Sequence, residues 1–308
     1  MMMSDLEGQI WMDGKFCDWK DAKIHILTHT LHYGTGVFEG VRAYETDSGP
    51  AIFRLEDHTK RLFDSANLVG MKIPYNIEIL MQAQCDSVSE NNLKNAYIRP
   101  LCFYGSEGMG LRADNLRVHC AICAWDWGPY LGAEKILNGI RVKVSPFPKR
   151  DPEAMLYKAK ATGNYINSML ALRDALASGY DEALILDTNN CVNEGSGENF
   201  FIIKNNKLIT PELVTVLDGI TRKTIISLAE ELGIETVERK IKLNEVFTAD
   251  EAFFTGTAAE VTPIIEIDTT KINDGKPGHI TKKLQENYFN LIRGRHNHHR
   301  DWLTHVKI

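Results

Sequence analysis

The chain predicts an α+β fold, mixed α/β in character, built as two domains that share a cleft. At 308 residues it exceeds one typical domain. Runs of β-branched and aromatic residues alternate with stretches of helical periodicity in both halves. Between the halves lies the densest punctuation of the middle of the chain, Gly128, Pro129, Gly132 and Gly139. The expected division is residues 1–128 as a small N-terminal α+β domain, 129–138 as an interdomain loop and 139–308 as a larger C-terminal domain.

The elements justify themselves in order. Asp13-Gly14 between two short alternating apolar runs is the strongest short hairpin signal, so the N-terminal part begins as sheet. Leu62, Ala66 and Val69 fall at helical spacing in residues 55–69, and Leu80, Met81 and Val88 repeat the pattern in 77–88. Residues 96–103 and 118–125 read as strands from their β-branched and aromatic content. A strand is expected at 140–144, then a helix at about 164–178 that stacks Ile166, Met169, Leu170 and Leu176 on one face, with Gly179 as its C-cap. Strands at 183–186 and 200–203 bracket a glycine-rich turn, and Asn205-Asn206 reverses the chain into 207–210. A helix at 221–232, strands at 251–255 and 261–267, a last helix at about 281–292 and a polar, mobile tail complete the chain.

Composition narrows the function classes. An apolar fraction of 44% and a charged fraction of 25% suit an ordinary globular protein, and a net charge of −6 offers no footprint for nucleic acid. No apolar run approaches membrane-spanning length and no leader pattern opens the chain, which leads to the expectation of a cytoplasmic protein acting on small molecules. Six cysteines are too few for a disulfide framework at this length, so reduced thiols are expected.

Three segments could carry chemistry. In Tyr157-Lys-Ala-Lys-Ala-Thr-Gly-Asn-Tyr165, Lys160 sits between a strand and a helix start, where it opposes the helix dipole and gains nothing structurally. With Ala159, Ala161 and Gly163 around it, it could enter a dry pocket and act as an amine nucleophile; a solvated surface lysine explains the same letters. The loop at 191–201 holds Glu194 beside Gly195 and Gly197, either as a carboxylate for a buried cationic ring or as a polar turn. Residues 217–222 open a helix, so the N–H groups of Ile220 and Thr221 could receive a phosphate, unless Asp218 or Thr221 simply caps it. The glycines of 31–42 fail as a dinucleotide fingerprint for want of a βαβ context. Cys120 and Cys123 lie three apart on a strand and face opposite sides, so they cannot jointly clasp a metal. His296-Asn-His-His299 reads as a solvated terminus, and no metal is expected.

Taken as an ordered set, the motifs resemble the class IV, fold-type IV aminotransferases, in particular the bacterial branched-chain type. The set comprises Tyr33 to Arg42 (YGTGVFEGVR), Lys60 to Ala66 (KRLFDSA), Tyr97 to Pro100 (YIRP) and Lys160 to Tyr165 (KATGNY). It continues with Asn193 to Asn199 (NEGSGEN), Leu217 to Arg222 and Gly256 to Pro263 (GTAAEVTP). Each is weak alone, but the set runs in the family's order from about Ile10 to Leu291.

The resemblance implies two domains with the active site at their interface and pyridoxal 5′-phosphate as cofactor. Lys160, in the C-terminal domain, would be the Schiff-base lysine and the base that moves the proton between Cα and C4′. Glu194 would pair with the pyridine nitrogen, Tyr165 with the ring hydroxyl, and Leu217 would pack on the ring face. Arg61, the backbone of Ile220 and Thr221, and Thr257 would hold the phosphate. The pocket must accept a branched apolar side chain and, in the second half-reaction, glutamate. Phe38, Tyr130, Trp127, Met109 and Leu111 would form its apolar wall, Tyr97 with backbone donors at Thr257 and Ala258 would take the α-carboxylate, and Arg99 and Tyr33 the γ-carboxylate. Tyr33, Met109 and Leu111 would come from a neighbouring subunit, implying a homodimer at least, with a hexamer open. The expected reaction is reversible amino transfer between L-leucine, L-isoleucine or L-valine and 2-oxoglutarate. D-amino-acid aminotransferases and aminodeoxychorismate lyases are the alternatives within the fold; a non-catalytic binding protein with a working histidine-rich tail is the alternative outside it.

Overall fold

The computed structural model describes residues 2–128, 131–149 and 155–308. Its contacts divide the chain into a first unit of Met1–Trp127, Ala159–Asn164 and Leu291–Ile308, and a second of Gly128–Lys158 and Tyr165–Asn290.

The first unit is built on an eight-stranded sheet. From one edge its order is Leu303–His305, Gly49–Phe53, Val41–Thr46, Ala96–Tyr104, Val118–Trp125, Gln9–Met12 and Lys15–Asp18, with Val37–Phe38 also on Ala96–Tyr104. All of its pairings are antiparallel. The hairpin falls where the sequence puts it: Met12 pairs with Lys15, and Asp13 (φ 51°) and Gly14 (φ 94°) both take the positive φ of a primed turn. Helices Leu55–Leu68 and Ile77–Glu90 bury Leu62, Ala66, Leu80 and Val88 in one apolar cluster with Val41, Ile98 and Ile122 of the sheet. Asn76 caps the second helix by accepting the Ile79 N–H at 2.9 Å. Alternation along Val118–Trp125 buries Cys120, Ile122 and Ala124 and turns Cys123 the other way, as strand geometry requires.

The second unit is built on a nine-stranded mixed sheet. Its order is Val192–Gly195, Glu182–Leu186, Ile140–Val144, Glu260–Ile267, Glu251–Gly256, Asn199–Lys204, Lys207–Thr210 and Thr236–Glu238, with Thr270–Lys271 on Glu260–Ile267. Val192–Gly195 also pairs with Asn199–Lys204, which closes part of the sheet into a ring. Ile140–Val144 runs parallel to both its neighbours. Helices Tyr165–Ala177, Ile220–Glu231 and His279–Ile292 lie within two residues of their expected bounds.

Five expectations are corrected. Residues 129–138 are not all loop, since Ala133–Asn138 is helical with Ile136 buried. Residues 159–164 group with the first unit rather than with a C-terminal domain, because they pair along 34–38: Ala161 bridges Val37, and the Thr162 and Gly163 N–H groups donate to Gly36 and Gly34 at 2.8 and 2.9 Å. The loop at 191–201 is a hairpin, with Val192–Gly195 and Asn199–Lys204 as its strands and a 2.7 Å bond from the Gly195 N–H to the Glu198 carbonyl. On helix Tyr165–Ala177 the buried residues are Ser168, Ala171 and Ala175, while Ile166, Met169 and Leu176 are exposed. The alanines let the helix approach Ala183 and Ile185 closely, which the larger side chains would prevent. Finally, the tail is docked: Leu303 pairs with Phe53, and the Arg54 guanidinium stacks on Trp302 at 4.1 Å.

Candidate active site

In the first unit a buried carboxylate organises a cation. Glu39 follows the short strand Val37–Phe38 and is fully buried. It accepts from Arg61 Nε at 2.6 Å and Nη2 at 2.9 Å, and from His58 Nδ1 at 2.7 Å. His58 and Arg61 stand three apart on helix Leu55–Leu68, so both reach the same carboxylate. Burial alone pushes the Glu39 carboxyl upward, but Arg61 and His58 outweigh it and hold the group far below the usual carboxylate range. Burial pushes His58 down in spite of Glu39, and its Nδ1 donates to the carboxylate.

Lys160 is fixed by its backbone. Its N–H donates to Ser65 Oγ at 3.0 Å and its carbonyl accepts the Phe38 N–H at 3.1 Å, while Nζ lies 4.9 Å from the centre of the Phe38 ring. Arg99 lies over the same ring at 4.7 Å and over Tyr97 at 5.3 Å, and its Nη2 donates to the Tyr97 hydroxyl at 3.0 Å. Tyr97 packs edge-on against Trp127 with centroids 4.7 Å apart. Gly40 makes the Tyr97 position possible, because a Cβ there would sit 2.1 Å from the Tyr97 hydroxyl oxygen. Phe38, Tyr97, Arg99, Trp127 and Lys160 therefore form one cluster. Tyr33 ends the short helix His29–Tyr33, and His29 ties that helix to the loop carrying Met109 and Leu111. Its N–H donates to the Gly105 carbonyl at 2.7 Å, and its Nε2 donates to the Gly110 carbonyl at 2.8 Å. Leu111 is 88% exposed. Tyr130 lies outside the described residues.

In the second unit, sheet register puts Glu194 opposite Asn199, and Asn199 opposite Thr255. Directly paired residues share a face, so the three form one row across neighbouring strands. Glu194 Oε2 accepts the Leu217 N–H at 3.3 Å, and Asn199 Nδ2 donates to the Leu217 carbonyl at 2.9 Å. Lys149, itself buried, pairs with Glu194 Oε1. Burial alone would push Lys149 down; the Glu194 carboxylate outweighs it and holds the ammonium above its ordinary value. Helix Ile220–Glu231 starts from Gly219, whose position supplies no side-chain cap. Gly219 has no room for a side chain, since a Cβ would fall 1.8 Å from Asn199 Oδ1. Thr257 and Ala258 lie in the turn joining Glu251–Gly256 to Glu260–Ile267, and Tyr165 opens helix Tyr165–Ala177.

The amino-transferase class IV family model matches residues 36–267. The chain belongs to this family. A branched-chain-amino-acid aminotransferase of Pseudomonas aeruginosa is 55% identical over 307 residues, covering 100% of both chains. The crystal structure of the Escherichia coli branched-chain amino acid aminotransferase superposes with a TM-score of 0.96 at 41% identity, covering 98% of this chain and 100% of the other. The branched-chain amino acid aminotransferase of Thermobaculum terrenum, solved in its PLP form, gives a TM-score of 0.90 at 34% identity over 97% and 98% of the two chains. Other similar structures of branched-chain amino acid aminotransferases were solved with pyridoxamine 5′-phosphate, with N-(5′-phosphopyridoxyl)-L-glutamate and with 4-methylvaleric acid. These matches carry the α+β, fold-type IV assignment.

Class IV aminotransferases use pyridoxal 5′-phosphate and act on amino and oxo acids. Each unit by itself carries groups of the kind this cofactor needs: in the first, the Lys160 amine 4.9 Å from the Phe38 ring centre; in the second, the buried Glu194 carboxylate, a helix that starts from Gly219, and Thr255 Oγ1, buried with no hydrogen-bond partner among the described residues. Among those residues no helix is long and apolar enough to cross a membrane. Reading the sequence left Glu39, His58, Asn199 and Lys149 without roles. Glu39 stands inside a quoted motif, and the spacing of His58 and Arg61 was a visible signal; nothing local marks Lys149 as a partner of Glu194, 45 residues away.

Proposed function

We propose that this chain transfers the amino group reversibly between L-leucine, L-isoleucine or L-valine and 2-oxoglutarate, with Lys160 as the amine that engages the cofactor. Bound pyridoxal 5′-phosphate supplies an aldehyde for amines to condense with and a ring that accepts the electron pair left at Cα. Lys160 Nζ, once released, carries the proton taken from Cα; its fixed backbone bonds to Ser65 and Phe38 keep it in place for that task. Glu194 would hold the ring nitrogen, Tyr165 the ring hydroxyl, and Leu217 would pack on the ring. Arg61, oriented by Glu39, the N–H groups of Ile220 and Thr221, and the Thr257 hydroxyl would be the phosphate's partners.

The observation that carries the substrate reading is Arg99. Its guanidinium carbon lies 4.7 Å from the Phe38 ring centre and 5.3 Å from that of Tyr97, so an apolar side chain would meet aromatic rings while a cation stays within reach of a second carboxylate. Its buried Nε has no hydrogen-bond acceptor among the described residues. Arg99 and Tyr33 would take the γ-carboxylate, Tyr97 with backbone donors at Thr257 and Ala258 the α-carboxylate, and Phe38, Trp127, Tyr130, Met109 and Leu111 the branched side chain. Leu111 at 88% and Ile26 at 73% exposure, with Met109, Leu31 and Tyr33 also exposed, support a homodimer or larger assembly that covers them.

The test is a substrate panel with a visible-range spectrum. Conversion of all three branched-chain amino acids with 2-oxoglutarate is expected, together with an absorbance band that L-leucine bleaches and that Lys160→Ala lacks. Activity with D-alanine alone, or pyruvate release from aminodeoxychorismate alone, would overturn the reading. Sedimentation as a monomer would overturn the assembly.

A further inference from the structure

We infer that Lys149 is a positioning residue for Glu194, holding one of its carboxylate oxygens in place before the cofactor arrives. The inference rests on the proposed contact between Glu194 and the ring nitrogen, and it concerns a side chain to which no motif gives a role.

Lys149 is only 6% exposed, and a lysine so placed is costly unless a counter-charge meets it. That counter-charge is Glu194 Oε1. The backbone fixes the pairing: the Lys149 N–H donates to the Leu186 carbonyl at 2.7 Å, at the end of the strand whose Ile185 lies opposite Glu194. The ammonium also lies 4.8 Å from the centre of the Tyr157 ring, which braces it from a second side. Glu194 Oε2 meanwhile accepts the Leu217 N–H. Each oxygen thus has one protein partner, so the carboxylate plane cannot turn without losing one of them. Tyr165, the proposed partner of the ring hydroxyl, also lies within electrostatic reach of Lys149.

The consequence is positional. Lys149 gives the buried Glu194 carboxylate a fixed counter-charge on Oε1 while the Leu217 N–H holds Oε2. Without Lys149 one oxygen loses its partner, and the carboxylate can turn away from the proposed contact with the ring nitrogen.

The experiment measures the dissociation constant of pyridoxal 5′-phosphate from the full-length protein, stripped of cofactor, between pH 6 and 9. It compares the native chain with Lys149→Met, Lys149→Arg, Glu194→Gln and the double variant Lys149→Met with Glu194→Gln. Lys149→Met is expected to weaken binding by about tenfold, while Lys149→Arg keeps the native affinity. In the Glu194→Gln background the same methionine should cost nothing further. The double variant removes both charges, so it remains informative if the single methionine variant folds poorly. An equal loss in both backgrounds would assign Lys149 a purely structural role and overturn the inference. A Glu194→Gln protein that binds like the native chain would overturn the Glu194 reading itself, and the inference with it.

Discussion

Replacing Glu39 by glutamine tests whether a buried carboxylate holds the proposed phosphate-binding arginine. Glu39 is fully buried and receives two bonds from Arg61 and one from His58, all at 2.6–2.9 Å. An amide keeps the shape but turns one acceptor into a donor. Oε2 faces His58 Nδ1, Arg61 Nη2 and the Gly40 N–H, so the amide nitrogen would point at Arg61 Nε and leave two donors opposed. The guanidinium also loses its counter-charge. Breaking one side of a buried pair costs about 3–5 kcal/mol, or roughly two to four orders of magnitude in the folding equilibrium. Urea unfolding followed by tryptophan fluorescence reads this directly, and cofactor titration reads the loosened Arg61. The pH dependence has a definite sign. Because the folded carboxyl is held far below the unfolded value of about 4.3, its contribution is complete above that value and fades as pH falls below it. The glutamine variant should lack that part of the acid limb. Stability within about 0.5 kcal/mol of the native protein, with unchanged cofactor affinity, would refute the reasoning.

Two further predictions test other parts of the molecule. Gly219→Ala drives a Cβ to 1.8 Å from Asn199 Oδ1, so either Asn199 releases the Leu217 carbonyl or the helix start shifts; cofactor binding should weaken by about tenfold or more, measured by titration. A chain ending at residue 298 loses the strand Leu303–His305 and the Arg54–Trp302 stack, and should unfold at lower urea concentration by about 2–4 kcal/mol; unfolding at the native midpoint would mean the docked tail adds no stability.

Much of the secondary structure was legible because its causes are local. Asp13-Gly14 and Asn205-Asn206 make turns out of their own backbone preferences, and the helices at 55–68 and 77–90 announce themselves by apolar spacing. The family was legible for a different reason: the runs around Lys160, Glu194 and Leu217 to Arg222 each allow a bland reading alone, and only their common order along the chain points to one family. Helix Tyr165–Ala177 shows where local reading stops. Its larger apolar side chains look like a core face, yet close approach to Ala183 and Ile185 selects the alanines instead.

The sequence by itself determined the mixed α+β class, the turns, most helix bounds, and the family through an ordered set of motifs. Tertiary structure alone decided that residues 159–164 lie along 34–38, that the tail closes a sheet edge, and that Glu39 and Lys149 stand behind Arg61 and Glu194. The reason is physical. Turn and helix preferences act over a few residues, whereas a buried charge is stable only where a distant part of the chain delivers its counter-charge, and no local pattern records that meeting.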